Sequence, residues 1–163
     1  MGESTIALDL CWAGLERILV GLAERIYADG PPQVVVGILR GGMIPAVMLA
    51  HRLGVRCVRG IEIAHTLTED TNSTKSSAPE VTNPGSLGQI SGDVLVVDDV
   101  AGSGATADLA AGMLGAHTGR VRRAVVVVNT INWMGANRMG PHEVHDYIGT
   151  TCAGWVRFPW EVR

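Results

Sequence analysis

Two adjacent aspartates, Asp98 and Asp99, close a hydrophobic run and open onto a segment nearly devoid of side chains, in the stretch VVDDVAGSGAT at 96–106. Paired carboxylates at the tip of a buried strand are costly unless a ligand compensates them, and ribose hydroxyls and a hydrated Mg2+ are suited to that. The six residues Ala101, Gly102, Ser103, Gly104, Ala105 and Thr106 then lie between an expected strand end and an expected helix start. Small residues there let backbone N–H groups approach an anion, the helix N-terminus adds partial positive charge, and the Ser103 and Thr106 hydroxyls add donors. Carboxylates followed by a phosphate nest describe a site for a ribose 5-phosphate. Successive strand residues face opposite ways, so both acids meet one ligand only if the chain turns at the pair.

Glycines alone are a weaker signal. Gly102-x-Gly104-x-x-Ala107 also satisfies the dinucleotide fingerprint GxGxxA. That reading expects the first strand of the fold and an acid about twenty residues on. The chain offers the apolar run AVVVVN there, and no GK[ST] follows for a Walker loop. Arg40-Gly41-Gly42 ends a second apolar run and sets a cation beside two glycines, a combination suited to an anion. His142 and His145 in PHEVHD fall one residue short of HExxH and have no evident third ligand, so they read as solvated histidines. Trp133, in NWMGANRMG, reads as packing or a loop anchor.

The elements that must carry these residues follow from periodicity. Leu15, Ile18, Leu19, Leu22 and Ile26 recur at three and four, predicting an amphipathic helix from Leu8 to Ala28, stopped by Asp29-Gly30-Pro31-Pro32. QVVVGIL is short, β-branched and continuously apolar, as expected of a strand covered on both faces. MIPAVMLAHRLG reads as a helix, CVRGIEIA (57–64) as a strand, VLVVDDV as a strand, Thr106 to Leu114 as a helix, and RRAVVVVNT as a strand. Residues 65–93 are polar, without sustained hydrophobic period, and read as a mobile lid or insert. Strands separated by helices predict an α/β fold: a parallel twisted sheet flanked by helices, with ligands at the carboxyl ends of the strands.

Length and charge bound the rest. The 163 residues suffice for one domain, and a formal charge of −3 gives no electrostatic footprint for nucleic acid. The N-terminal MGESTIALDL lacks the basic region of a signal peptide, and no apolar stretch approaches a membrane span. Cys11, Cys57 and Cys152 are widely spaced and without a CxxC motif, which fits a reduced, cytoplasmic setting. Against twelve arginines stands a single lysine, Lys75, inside the polar segment.

The order of apolar strand, acid pair, three residues, Ser, Gly, x, Thr in VVDDVAGSGAT resembles the phosphoribosyl-pyrophosphate (PRPP) signature of the type I phosphoribosyltransferases. ILRGGMIPA resembles the pyrophosphate loop of that family, and HDYIGTTCAGWVRFPWE is similar to the short hood of its bacterial xanthine-guanine branch. Together the matches span nearly the whole chain. The resemblance implies a Rossmann-like fold over 1–163, with a lid at 65–93 and a base-binding hood at 141–163. It implies transfer of the 5-phosphoribosyl group from PRPP to a purine-like or other heterocyclic base, giving a nucleoside monophosphate and pyrophosphate, with Mg2+ as cofactor. Asp98 and Asp99 would serve ribose and metal, and Arg40 with Gly41 and Gly42 the pyrophosphate. The nest from Ala101 to Thr106 would serve the phosphate, Lys75 the closed lid, and Trp155, Val156 and Asn129 the base. The peptide after Arg40 would be cis. The chain would form a homo-oligomer, a dimer or tetramer, with no nucleic acid or membrane partner.

Three positions depart from the pattern of 6-oxopurine enzymes. Gly102 stands where they carry an aspartate near the purine N7, Asn129 stands nearest their oxo-reading lysine, and His65-Thr66 replace the Ser-Tyr at the start of the lid. A base attacking through an already acidic or anionic nitrogen needs less help with its proton. Other outcomes of the same residues are a PRPP- or nucleotide-sensing protein without turnover, cleavage of a nucleotide's N-glycosidic bond by water, and a dinucleotide enzyme.

Overall fold

The computed structural model describes residues 6–64, 79–136 and 139–161. Lys75 and the segment 65–78 lie outside the described residues. In chain order the elements are β1 (Ile6–Asp9), α1 (Trp12–Ala28), β2 (Val34–Leu39), α2 (Met43–Leu53), β3 (Cys57–Ala64) and β4 (Glu80–Val81). After a 3-10 turn (Pro84–Leu87) come β5 (Asp93–Ala101), α3 (Ala105–Gly115), β6 (Arg120–Asn129), α4 (Thr130–Gly135), α5 (Pro141–Val144), β7 (Tyr147–Cys152) and β8 (Trp155–Arg157).

Six strands form one sheet in the order β4-β3-β2-β5-β6-β7, parallel throughout except for β4. The continuous apolar runs are explained by burial on two sides. Val35, Leu95, Val97 and Val126 face Leu15, Leu19, Leu22 and Ile26 of α1 and Leu49 of α2, while Val34, Val36, Val94 and Val96 face Ala110 and Leu114 of α3. Leaving β2, the chain runs outward to β3, and β5 then returns to pair on the other side of β2. That reversal opens a crevice at the carboxyl ends of β2 and β5, where open α/β sheets bind ligands.

Two expectations are corrected. The first helix starts at Trp12 rather than Leu8, because Ile6–Asp9 forms a parallel ribbon with β8. Arg157 Nε donates to Asp9 Oδ1 at 3.1 Å, and the Leu10 N–H donates to the Arg157 carbonyl at 2.9 Å. The pairing partner lies almost the whole chain away, so the local period gave no sign of it.

The second concerns the polar segment, whose later part is built into the body. Val81 and Glu80 pair with Ile63 and Ala64, Ser86 Oγ donates to the Gly60 carbonyl at 2.9 Å, and Leu87 and Ile90 are buried. Two apolar residues spaced three apart among polar ones were enough to anchor it. Among the described residues, no helix is long and apolar enough to cross a membrane.

Candidate active site

β2 and β5 deliver the two sequence motifs to the same crevice. β2 ends at Leu39, and the turn Arg40-Gly41-Gly42 leads directly into α2. A Cβ at Gly41 would overlap the Asp99 carboxylate, and one at Gly42 would stand 2.7 Å from the carbonyl oxygens of both Ile38 and Val97. The two glycines therefore let the turn lie against the acid pair. The cis peptide is Leu39–Arg40, one bond before the expected position.

The strand does not turn at the acids. β5 runs on to Ala101, with Val100 and Ala101 still paired to Val127 and Val128. The pleat therefore turns the two side chains toward different cavities, while their carboxyl groups stay close enough to act on each other. Asp98 lines a cavity of about 650 Å3 with Ala101, Gly102, Ser103, Gly104 and Thr106. Asp99 lines a second cavity, of about 790 Å3, with Arg40, Gly41, Trp155, Arg157 and Glu161. The expectation that both acids face one pocket is corrected: the pair stands on the wall between two.

Asp98 Oδ1 accepts from the Asp99 N–H at 3.0 Å, and Asp99 Oδ1 accepts from the Val100 N–H at 2.9 Å. Burial holds the Asp98 carboxyl well above the usual carboxylate range, and the charge of Asp99 pushes the same way. Burial also raises Asp99, against the pull of its hydrogen bonds, and the charge of Glu161 adds to the rise. Without ligand, the site thus holds acid groups whose ionisation its surroundings oppose.

The nest is formed as its composition requires. Gly104 adopts φ +75°, and a Cβ there would meet the Trp133 ring at 2.7 Å. Trp133 is the buried floor of the loop, with its indole N–H donating to the Met139 carbonyl at 2.8 Å, so the packing role expected of it holds. α3 starts at Ala105, its N-terminus toward the nest, and the Ala105 N–H donates to Ser103 Oγ at 3.4 Å.

The hood residues divide. Trp155 is exposed at the second cavity. Val156 is buried in the core beneath it, because β8 alternates faces, so its side chain is removed from the base-contacting set. Asn129 caps α4: its Oδ1 accepts from the Asn132 N–H at 3.2 Å, while its Nδ2 donates to the Gly154 carbonyl at 2.8 Å. With both ends of its amide engaged, Asn129 positions the two flanking turns rather than reading a base directly. His145 is buried, 5.9 Å from the Trp133 ring, which corrects the expectation of a solvated side chain; His142 is exposed.

Several residues at the cavities escaped the sequence reading. Arg157 and Glu161 line the second cavity, and Ile131 and Asn132 the first. The alternation in WVRF, Trp155 and Arg157 against Val156 and Phe158, would have put Arg157 on the face of Trp155. Asn132 follows Asn129 by three, the spacing of an N-cap to its bonded amide.

Comparison with known proteins agrees with this geometry. The model of the phosphoribosyl transferase domain family matches residues 12–163. The chain is 28% identical over 152 residues to a xanthine-guanine phosphoribosyltransferase of Nitratidesulfovibrio vulgaris, covering 92% of this chain and 82% of that protein. It is 28% identical over 160 residues to the xanthine-guanine phosphoribosyltransferase of Cereibacter sphaeroides, covering 93% and 84%. The crystal structure of a purine phosphoribosyltransferase from Pyrococcus horikoshii superposes with a TM-score of 0.76 at 26% identity, over 96% of this chain and 94% of that one. With nest, acid pair and Arg-Gly-Gly turn converging at the carboxyl ends of β2 and β5, and the family match running from the first helix to the C-terminal residue, the chain belongs to the phosphoribosyl transferase domain family.

Proposed function

We propose that the protein transfers the 5-phosphoribosyl group from PRPP to a purine base, releasing pyrophosphate and a nucleoside 5′-monophosphate. One observation carries the reading most directly. The Arg40-Gly41-Gly42 turn is seated against the Asp99 carboxylate, so the acid pair stands between a cationic loop on one side and a phosphate nest on the other. The purine is favoured by the relatives, two named for xanthine and guanine and one for purine.

In this reading the nest from Ala101 to Thr106 holds the 5-phosphate, its backbone N–H groups and the α3 N-terminus facing the charge. Asp98 accepts from ribose hydroxyls on the nest side. Arg40 and the amides of Gly41 and Gly42 receive the departing pyrophosphate in the second cavity, where charge develops as the C1–O bond breaks. Trp155 stands at the rim, able to cover a planar base and to keep water from the oxocarbenium-like centre.

Mg2+ fits this acid pair as a substrate-borne ion. A Mg2+ arriving with its substrate needs only one or two carboxylates besides the substrate phosphates, which two adjacent aspartates could supply. When bound, it supplies charge neutralisation to the pyrophosphate. Asp98 and Asp99 are the residues that would hold it.

The deciding experiment is pyrophosphate release from PRPP and Mg2+ with xanthine, guanine, hypoxanthine, adenine, uracil and orotate. Stoichiometric pyrophosphate and a new nucleotide with one or more of the purines is the expected result. PRPP binding with no release for any base would overturn transfer to these bases and favour the sensing reading. Release with uracil or orotate alone would keep the transferase and remove the purine.

A further inference from the structure

Gly102 sits in the nest, and the wall it faces is α4. A Cβ built on Gly102 would stand 3.3 Å from the Asn132 Cβ and 3.4 Å from its Nδ2. Even an alanine would touch that amide, and a longer side chain at 102 would have to displace it. The missing Cβ of Gly102 thus lets the carboxamide of Asn132 lie directly beside the nest, and both residues line the same cavity.

The backbone of Asn132 is fixed while its side chain is not. Its N–H is bound by Asn129 Oδ1, but among the described residues its carboxamide makes no hydrogen bond. The residue is exposed and lines the cavity with Ile131, an apolar neighbour that is 53% exposed. Asn129 ties this turn, through its other end, to Gly154, the residue before Trp155. One buried amide therefore links the turn that carries Asn132, at the first cavity, to the turn before Trp155, at the second.

Resting on the phosphoribosyl-transfer reading above, we propose that Asn132 is the specificity-determining residue of the base site. Its carboxamide hydrogen-bonds the edge of the heterocycle from the position that Gly102 leaves clear. A carboxamide presents two donors and an acceptor and takes up no proton at neutral pH. It therefore suits a base showing an unprotonated ring nitrogen or an oxo oxygen to Nδ2, and selects by hydrogen-bond pattern rather than by proton transfer. A solvent-facing asparagine that merely crowds Gly102 is the competing account, and it assigns no base dependence to the residue.

Calorimetric titration separates them. Ribose 5-phosphate, GMP, XMP, IMP and AMP, each with Mg2+, are titrated into the wild type, Asn132→Ala and Asn132→Asp. The expected result is that ribose 5-phosphate binds all three proteins within about twofold. The nucleotide favoured by the wild type loses about tenfold in Asn132→Ala, the size of one net hydrogen bond. Asn132→Asp, having lost both donors, reorders the four nucleotides.

Equal nucleotide affinity in wild type and Asn132→Ala overturns the inference while leaving phosphoribosyl binding in place. An equal loss for ribose 5-phosphate and nucleotide also overturns it, by making Asn132 a support of the nest. Failure of the wild type to bind ribose 5-phosphate at all sinks the phosphoribosyl reading itself, and the inference with it.

Discussion

At the scale of single residues, the acid pair is the part of the molecule that works against its own stability. Asp98 is buried beside a second carboxylate, and both its burial and that neighbour hold its acid form. Below the ordinary carboxylate pKa both folded and unfolded chains are protonated at this position, and the pair contributes no pH dependence. As pH rises above that value the unfolded chain releases the proton first, so the folded state binds more protons and stability falls until the folded pKa is passed. Asp98→Asn removes the cost. Urea unfolding across mildly acidic to neutral pH should show the ligand-free variant more stable than the wild type at neutral pH and with a flatter profile; a steeper decline in the variant would contradict the assignment. Asp99 bears on turnover instead. Asp99→Asn should lower kcat by about 10²- to 10³-fold, the scale of one preorganised electrostatic contact in a water-poor site, with an unchanged circular dichroism spectrum. Full activity in Asp99→Asn would remove the acid pair from the mechanism.

Between elements, contacts rather than side-chain chemistry decide what the site can do. Gly41 is silent in composition, yet its missing Cβ is what lets the β2–α2 turn lie on the end of β5. Gly41→Ala pushes against the Asp99 carboxylate, and kcat/KM for PRPP should fall by at least tenfold while α2 and its buried face remain folded. Wild-type kinetics would mean that the turn is not seated against Asp99 in solution. The ribbon of β1 and β8 makes a second case. Asp9→Ala removes the partner of Arg157, and exchange of the Leu10 amide, bonded to the Arg157 carbonyl, should quicken in hydrogen-exchange measurements. Global stability should change little, since an exposed ion pair is weak and screened by solvent. These elements also mark the limit of sequence reading. β2, α2, β3, α3 and the nest were legible because period and composition are local properties. The β1–β8 ribbon, the anchoring of Leu87 and Ile90, and the meeting of Gly102 with Asn132 were not, because each depends on a partner far along the chain. The division of Asp98 and Asp99 between two cavities was missed for a different reason: it depends on where the strand ends, and β5 runs two residues past the pair, to Ala101.

Across the whole molecule, the two ends of the sheet treat buried charge in opposite ways. At the amino ends of β5 and β6, Arg122 is nearly inaccessible and fully engaged. Its Nε and Nη2 donate to the Asp93 carboxylate at 3.1 and 2.9 Å, Nη1 to the Tyr147 hydroxyl at 3.0 Å, and Nη2 also to the Gly30 carbonyl at 2.8 Å. Tyr147 in turn donates to Asp29 Oδ2 at 2.8 Å, so the network joins the end of α1 to three strands. At the carboxyl ends, Asp98 is buried with no cation recorded beside it among the described ion pairs. A satisfied ion at one end and acids awaiting a ligand at the other divide the sheet into a holding end and a reacting end. Breaking a buried pair by removing one partner costs about 3–5 kcal/mol, because the remaining charge is stranded. Asp93→Ala strands a guanidinium that is only 1% exposed and should approach that cost, whereas Arg122→Met leaves a carboxylate that is 27% exposed and can still reach water, and should cost less. In both variants the folded fraction should turn over at the wild-type rate, since the network lies a full strand length from the nest. Denaturant titration together with kcat per folded molecule checks this, and a large loss of kcat without loss of stability would mean that the two ends are coupled through the strands.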